Sequence, residues 1–342
     1  MAAPTERCGL LAGGNWIIDH VKIVDRFPAQ DALASILGES RGTGGTPYNL
    51  LLDLAMMGAP FPLEGIGLVG DDADGRSIRQ DCADHGIDAA QLRVTEKAAT
   101  SYTDVMTVQS TGRRTFFHLR GANSLLAEEH FDLAASRARI FCIGYLLLLD
   151  TLDIISPDGT TGASRLLERA SALGFKTFVD AVSEDSDRFA AVVRPTLPHV
   201  DYLVINEFEA SRCTGLPVLD AAGVVSASQV AAAARALLDS GVREWVVIHW
   251  PAGAVAVHRD GTEARHGSVC VPPADIVGAA GAGDAFAAGM LYGLHEGLDI
   301  RECLRMAVCA AAANLYDATC TGGMKPLSDC LRLGDTLGFR EI

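Results

Sequence analysis

Short apolar runs alternate with amphipathic stretches through most of the chain, a rhythm that suits parallel strands joined by crossover helices. In the second half Lys176–Asp180, Val200–Ile205 and Glu244–His249 read as strands, and the Ala-rich stretch Ser226–Ser240 reads as a helix stopped by Gly241. The strand-like runs end at Asp180, Asn206 and His249. Ligands of open α/β sheets bind beyond the carboxyl ends of the strands, so these polar ends point to one cleft.

Two regions break the rhythm. Trp16–Ala29 and Ser101–Arg120 are β-rich, and in the second the turn Ser110-Thr111-Gly112 separates Tyr102–Val108 from Thr115–His118. They read as strands of a small hairpin sheet, a discontinuous lid built from segments of about 16–41 and 98–121 on a single domain spanning 1–342. No internal repeat or low-complexity tract suggests a linked array.

A length of 342 residues is enough to bury a sizeable core, and 49% apolar with 6% aromatic residues and 35 glycines is ordinary for an α/β enzyme. With 43 acidic against 28 basic side chains, the formal net charge of −15 disfavours nucleic acid and anionic membrane as partners. A small anionic ligand stays open to it, because a local nest of backbone N–H groups outweighs a global field at contact distance. The nine cysteines are scattered with no C-x-x-C pair, which suits reduced thiols in a cytosol. The start of the chain lacks a long apolar core after basic residues, and the longest apolar run, Ile140–Leu149, is half a membrane span. A cytoplasmic protein is expected.

The richest chemical signal is Asp275-Ile-Val-Gly-Ala-Ala-Gly-Ala-Gly-Asp284-Ala-Phe286, followed by an apolar-periodic stretch. A glycine-rich loop entering a helix leaves the first N–H groups unpaired, and the helix dipole adds positive potential there. Asp284, in the first turn, is placed to take a proton from a hydroxyl while neighbouring amides hold phosphoryl oxygens. Read alone, the same segment is equally a capped helix with glycines for close packing. It is neither a Walker A loop nor a Rossmann fingerprint, since it lacks Gly-Lys-Ser/Thr and a third glycine in register.

With this segment the chain resembles the ribokinase, or PfkB-type carbohydrate kinase, family, whose C-terminal signature is Asp-Thr-x-Gly-Ala-Gly-Asp-x-Phe. Four further segments agree in order: Gly14-Asn-Trp-Ile-Ile-Asp19, Gly44-Gly45-Thr-Pro-Tyr-Asn49, Gly67-Leu-Val-Gly70-Asp71-Asp72-Ala-Asp-Gly75 and Asn206-Glu207-Phe-Glu209. The resemblance implies a ribokinase-like three-layer αβα sandwich with a mostly parallel central sheet and a small β lid. It implies an ATP- and Mg²⁺-dependent phosphotransferase acting on a hydroxymethyl group of a sugar or related polyol, with a nucleoside kinase as the alternative. Asp284 would be the base, Gly281, Ala282 and Gly283 the anion hole, and Asp19, Gly44, Gly45 and Asn49 the acceptor contacts. Asn206, His249 and Gly253 would face the nucleotide, with Asn206 and Glu209 holding magnesium through water. On spacing alone, Asn206 and Glu209 also make a helix N-cap with a capping box. Pairing of lids in a homodimer is a further expectation.

The chain departs from the family pattern at three places. Gly278-Ala279 stand where Asp-Thr is usual, removing a carboxylate that the family uses beside a monovalent cation, and Asp275 is out of register to replace it. Val247-Ile-His249-Trp250-Pro251-Ala-Gly253 keeps one glycine of Thr-x-Gly-x-x-Gly and adds bulk near the nucleotide. Thr46 replaces the lysine of true ribokinases, and Trp16, Ile17 and Tyr48 are expected to make the acceptor pocket more apolar. These departures motivate an alternative of another class, a catalytically weak ligand-sensing protein on a kinase scaffold.

Overall fold

The computed structural model describes residues 7–183, 186 and 188–342. Residues 1–6, on which the expectation about an export signal partly rests, lie outside the described residues. The first half contains β1 (Leu10–Gly14), β2 (Ile17–Val24), β3 (Ile36–Gly44), β4 (Leu63–Gly70), β5 (Asp88–Thr95), β6 (Ser101–Val108) and β7 (Arg114–Leu119). The second contains β8 (Ile140–Leu146), β9 (Lys176–Ala181), β10 (Tyr202–Asn206), β11 (Trp245–Trp250), β12 (Gly253–His258) and β13 (Glu263–Gly267). The α-helices are α1 (Thr46–Met56), α2 (Ala73–Asp84), α3 (Gly162–Ala172), α4 (Phe189–Val193), α5 (Glu207–Thr214), α6 (Ala227–Asp239), α7 (Ala282–His295), α8 (Ile300–Asn314) and α9 (Leu327–Leu337).

Nine strands form one sheet in the order β13-β12-β11-β10-β9-β8-β1-β4-β5, parallel except at the β12 and β13 edge. Both faces of the central strands are covered, so β1, β8, β10 and β12 are apolar on both sides, whereas the edge strands β5 and β13 are polar and partly exposed. In β8, Ile140 and Cys142 pack toward α1, α2, α7, α8 and α9, while Phe141 and Ile143 pack toward α3 to α6. The result is the three-layer αβα sandwich expected from the sequence. The chain winds outward from β1 to β5 on one side and from β8 to β11 on the other, which opens a crevice at the strand ends between β1 and β8.

The second sheet has the order β3-β2-β6-β7. It is not a pure hairpin sheet: β2 pairs antiparallel with β3 and parallel with β6, from Ile17 opposite Ser101 to Val24 opposite Val108. Only β6 and β7 form the local hairpin read from the sequence. The reason is the long excursion through α1, α2 and β5, which returns the chain beside β2 in the same direction. Among the described residues no helix is long and apolar enough to cross a membrane. All nine cysteines are free, with Cys8 and Cys270 exposed and the rest buried.

Trp16 and Tyr48 line neither of the two cavities described below, contrary to the expectation from sequence. Both are buried at the root of the lid, with ring centroids 5.5 Å apart. Trp16 Nε1 donates to the Ile66 carbonyl at 3.0 Å, and the Tyr48 hydroxyl donates to Asp81 at 2.6 Å. Polar tips with partners at hand let large aromatic rings enter a core. A Cβ at Gly67 would meet the indole at 2.4 Å, so Trp16 fills the groove that β4 leaves open. Trp16→Ala is therefore expected to cost about 3–5 kcal/mol of stability, read as a lower urea midpoint at unchanged slope.

Candidate active site

α7 begins where the glycine-rich loop ends, with Gly281 as its N-cap in the left-handed region at φ +74°. A Cβ there would lie 2.1 Å from the Cys320 carbonyl, so glycine is required by both conformation and space. The Ala285 amide bonds back to Gly281 and the Ala282 amide makes a long 3.4 Å contact to Ala279. The amides of Gly283 and Asp284 find no backbone acceptor among the described residues. Of the amides in the expected anion hole, Ala282 is therefore the one already engaged. Gly283 faces open space, with His249 the nearest group at 3.7 Å from a constructed Cβ. Free amides at a helix N-terminus form a cradle that fits a phosphoryl group.

Asp284 does not cap its helix. Its carboxylate is buried and accepts from Asn49 Nδ2 at 2.8 Å and from the Tyr145 hydroxyl at 2.9 and 3.2 Å. Asn49 is fixed in turn, because Thr43 donates to its Oδ1 at 2.6 Å. Burial pushes the Asp284 carboxyl up to about 6, with the hydrogen bonds from Asn49 and Tyr145 opposing the rise.

A cavity of about 500 Å³ opens above this carboxylate. It is lined by Asp19, Gly44, Gly45, Asn49, Gly281, Gly283 and Asp284, by Asn206, Glu209 and His249, and also by Tyr145, Asp180 and Cys320. Every second residue of β7, namely Arg114, Phe116 and His118, faces it from the lid. Ile17 lines it as the sequence suggests. Asp19 is pushed up to about 7, chiefly by burial, and accepts a weak bond from the Cys320 thiol at 3.6 Å. Asp180 lies well above the usual carboxylate range, through burial and then the Asp284 charge, and accepts from Thr46 at 2.8 Å.

A second cavity of about 490 Å³ adjoins the first, sharing Asn206, His249 and Gly283 with it. Gly253, Trp250, Ala282, Phe286 and Arg340 lie on its walls. His249 stacks on Phe286 at 4.7 Å and is held neutral by burial, its pKa down to about 4. Asn206 and Glu209 do form a capping box at the start of α5, and the same pair lines the first cavity. Glu209 also accepts from Ser183 at 2.6 Å, and burial lifts it to about 7. Among the described residues no three acidic, His or Cys side chains converge as a metal cage. Such a donor set suits a divalent cation that keeps its water shell and not one stripped of it. A Cβ at Gly278 would meet the Asp317 carbonyl at 2.9 Å, so the loop is packed around glycine where the family pattern has aspartate.

Residues 10–327 match the model of the family described as pfkB family carbohydrate kinase. The chain belongs to that family. As a pfkB carbohydrate kinase it is a phosphotransferase, and it is similar to a ribokinase of Arabidopsis thaliana (25% identity, 84% of this chain and 71% of the relative). It is also similar to adenosine kinase 1 of the same plant (25%, 90% and 86%). In structure this pfkB chain resembles Arabidopsis thaliana ribokinase complexed with ribose and ATP, with TM-score 0.78 at 23% identity over 97% of this chain and 99% of that one. It also resembles Burkholderia thailandensis nucleoside kinase in complex with inosine, with TM-score 0.72 at 17% identity over 97% and 100%.

Tyr145, Asp180, Phe116 and Cys320 line the first cavity without having been marked by sequence as site residues. Asp180 carries a visible signal as the polar end of a strand; the others sit in runs that read as core or lid. A fifth unmarked group lies just behind the site. Asp53, one turn beyond Asn49 on α1, is fully buried and neither carboxylate oxygen has a hydrogen-bond partner. Burial raises it well above the usual range, with Asp284 adding to the rise. The folded state then holds a proton that the unfolded chain loses above about pH 4, so stability falls as pH rises above that point by up to about 1.4 kcal/mol per unit. Asp53→Asn removes this term. Its thermal midpoint relative to the native protein should climb between pH 5 and pH 8, whereas a difference that stays level across that range would contradict the assignment.

Proposed function

We propose that the protein transfers the γ-phosphoryl group of ATP to a hydroxymethyl group of a sugar or related polyol, with Asp284 as the base. The observation that carries the reading is the position of one buried carboxylate, held by neutral donors, where two cavities meet at the free amides of α7. The acceptor would occupy the first cavity, its hydroxyls bonded to Asp19 and Asn49, with the backbone of Gly44 and Gly45 approaching closely. The nucleotide would occupy the second, beside Trp250 and Gly253, with its phosphates reaching the amides at Gly283 and Asp284. When bound, magnesium supplies charge neutralisation on the phosphates, with Asn206 and Glu209 holding its water shell. Asp284 accepts the hydroxyl proton as the oxygen attacks, and the lid strand β7 excludes water from the transfer.

A nucleoside acceptor is the second reading, favoured by Phe116, which is 58% exposed although it faces the cavity. A free aromatic face on a lid suits stacking on a base. The opposite face of β7 presents Phe117 and Leu119 to solvent, and we infer that it pairs with the lid of a second copy.

A coupled ADP-release assay over pentoses, hexoses, keto acids and nucleosides tests the reading. One acceptor should stimulate release by the native protein, and Asp284→Asn should lower turnover by about 10²–10⁴-fold with acceptor binding retained. Because the base works as a carboxylate, kcat/KM should fall about tenfold per unit as pH drops below the Asp284 value of about 6. ATP binding with no acceptor-dependent release would favour the ligand-sensing alternative.

A further inference from the structure

The carboxylate of Asp284 has two side-chain donors, and they differ in kind. Asn49 has its own oxygen occupied by Thr43, so its amide can present only N–H to Asp284. Tyr145, next to last in β8, reaches the same carboxylate across the crevice with a hydroxyl that contacts both oxygens. The side chain is half-buried at the cavity wall, and burial followed by the charges of Asp284 and Asp180 keeps the phenol protonated, hence a donor. Among the described residues no basic side chain pairs with Asp284, so two neutral side-chain donors hold its carboxylate in a defined orientation.

The two donors share one anchor. The Tyr145 amide donates to Asn15 Oδ1, and the Asn15 amide donates to the Gly144 carbonyl at 2.8 Å. The carbonyl of Asn15 lies 2.0 Å from where a Cβ of Gly45 would be, and Gly45 caps the helix that carries Asn49. A phenol at the cavity wall with its proton on the Asp284 carboxylate is more than core packing requires.

We propose that Tyr145 is a positioning residue of the phosphoryl transfer, its hydroxyl holding the Asp284 carboxylate aimed at the junction of the two cavities; this rests on Asp284 being the base. Other groups face Asp284 as well: Asp19 from β2, Asp53 from α1, Asp180 from β9, Cys320 from the loop after α8 and neutral His249 from β11. Arg114 of β7 lies on the same cavity. None of these is changed by Tyr145→Phe, which removes one oxygen and leaves the ring.

The test is a titration of the full-length protein labelled at the aspartate side-chain carbons, followed by NMR, with the Asp284 signal assigned by its loss in Asp284→Asn. Removing a donor to the charged form raises the midpoint, so Tyr145→Phe should move it up by about half a unit or more. Should that variant fold poorly, 3,5-difluorotyrosine at position 145, a stronger donor, should move the midpoint down. In the acceptor assay Tyr145→Phe should lower kcat about tenfold or more with KM within about twofold. An unchanged midpoint in a folded Tyr145→Phe, or in the fluorinated protein, overturns the proposal. The titration needs no acceptor, so it decides on Tyr145 even where the acceptor assay rejects the kinase reading.

Discussion

A carboxylate buried without a cation is costly, and the architecture around Asp284 is organised to make that burial tolerable. Two neutral donors satisfy it, the N-terminal dipole of α7 stabilises its charge, and its proton affinity is nonetheless raised toward neutrality. In the proposed reaction, a carboxylate of this kind would be matched to a hydroxyl that must lose its proton near physiological pH. Asp19 and Asp180 at the same cavity are lifted as well, chiefly by burial, with the Asp284 charge adding to the rise. The cavity floor is thus rich in carboxylates that are only partly charged, a surface suited to the hydroxyl groups of a polyol.

Close backbone approach holds this arrangement together. Gly14 adopts φ +127°, and a Cβ on it would lie 1.8 Å from the Gly144 carbonyl, so β1 and β8 meet through bare backbone. Asn15 then bonds the end of β8 through its side chain, while its backbone carbonyl packs closely against Gly45 at the turn that opens α1. On the far side the Cys320 carbonyl presses on Gly281, while the Cys320 thiol reaches Asp19. The loop after α8 thereby ties the Asp19 wall of the first cavity to the N-terminus of α7.

Much of this is legible in the sequence, and what is not has a physical reason. The βα rhythm and the glycine-rich turn reveal the sandwich and the start of α7, because helix and strand periods and backbone freedom are local properties. Asn206 and Glu209 illustrate a residue pair with one spacing and two meanings: the structure has them capping α5 and lining the cavity together. Trp16 and Tyr48 mislead, since their aromatic rings near a ligand motif suggest a pocket wall while their polar tips find partners in the core. The parallel pairing of β2 with β6 and the meeting of Tyr145 with Asp284 join residues about 80 and 139 positions apart, which no local pattern encodes. Asp53 is hidden for the same reason, as a polar residue inside an apolar helix face gives no sign of whether a partner awaits it.

The most direct test of the account is a crystal structure of the protein with a non-hydrolysable ATP analogue, magnesium and the acceptor found active in solution. The account predicts the acceptor hydroxyl within hydrogen-bond distance of the Asp284 carboxylate, in line with the terminal phosphorus, and the phosphates on the Gly283 and Asp284 amides. A nucleotide outside the second cavity, or an acceptor whose reacting hydroxyl lies away from Asp284, would contradict it.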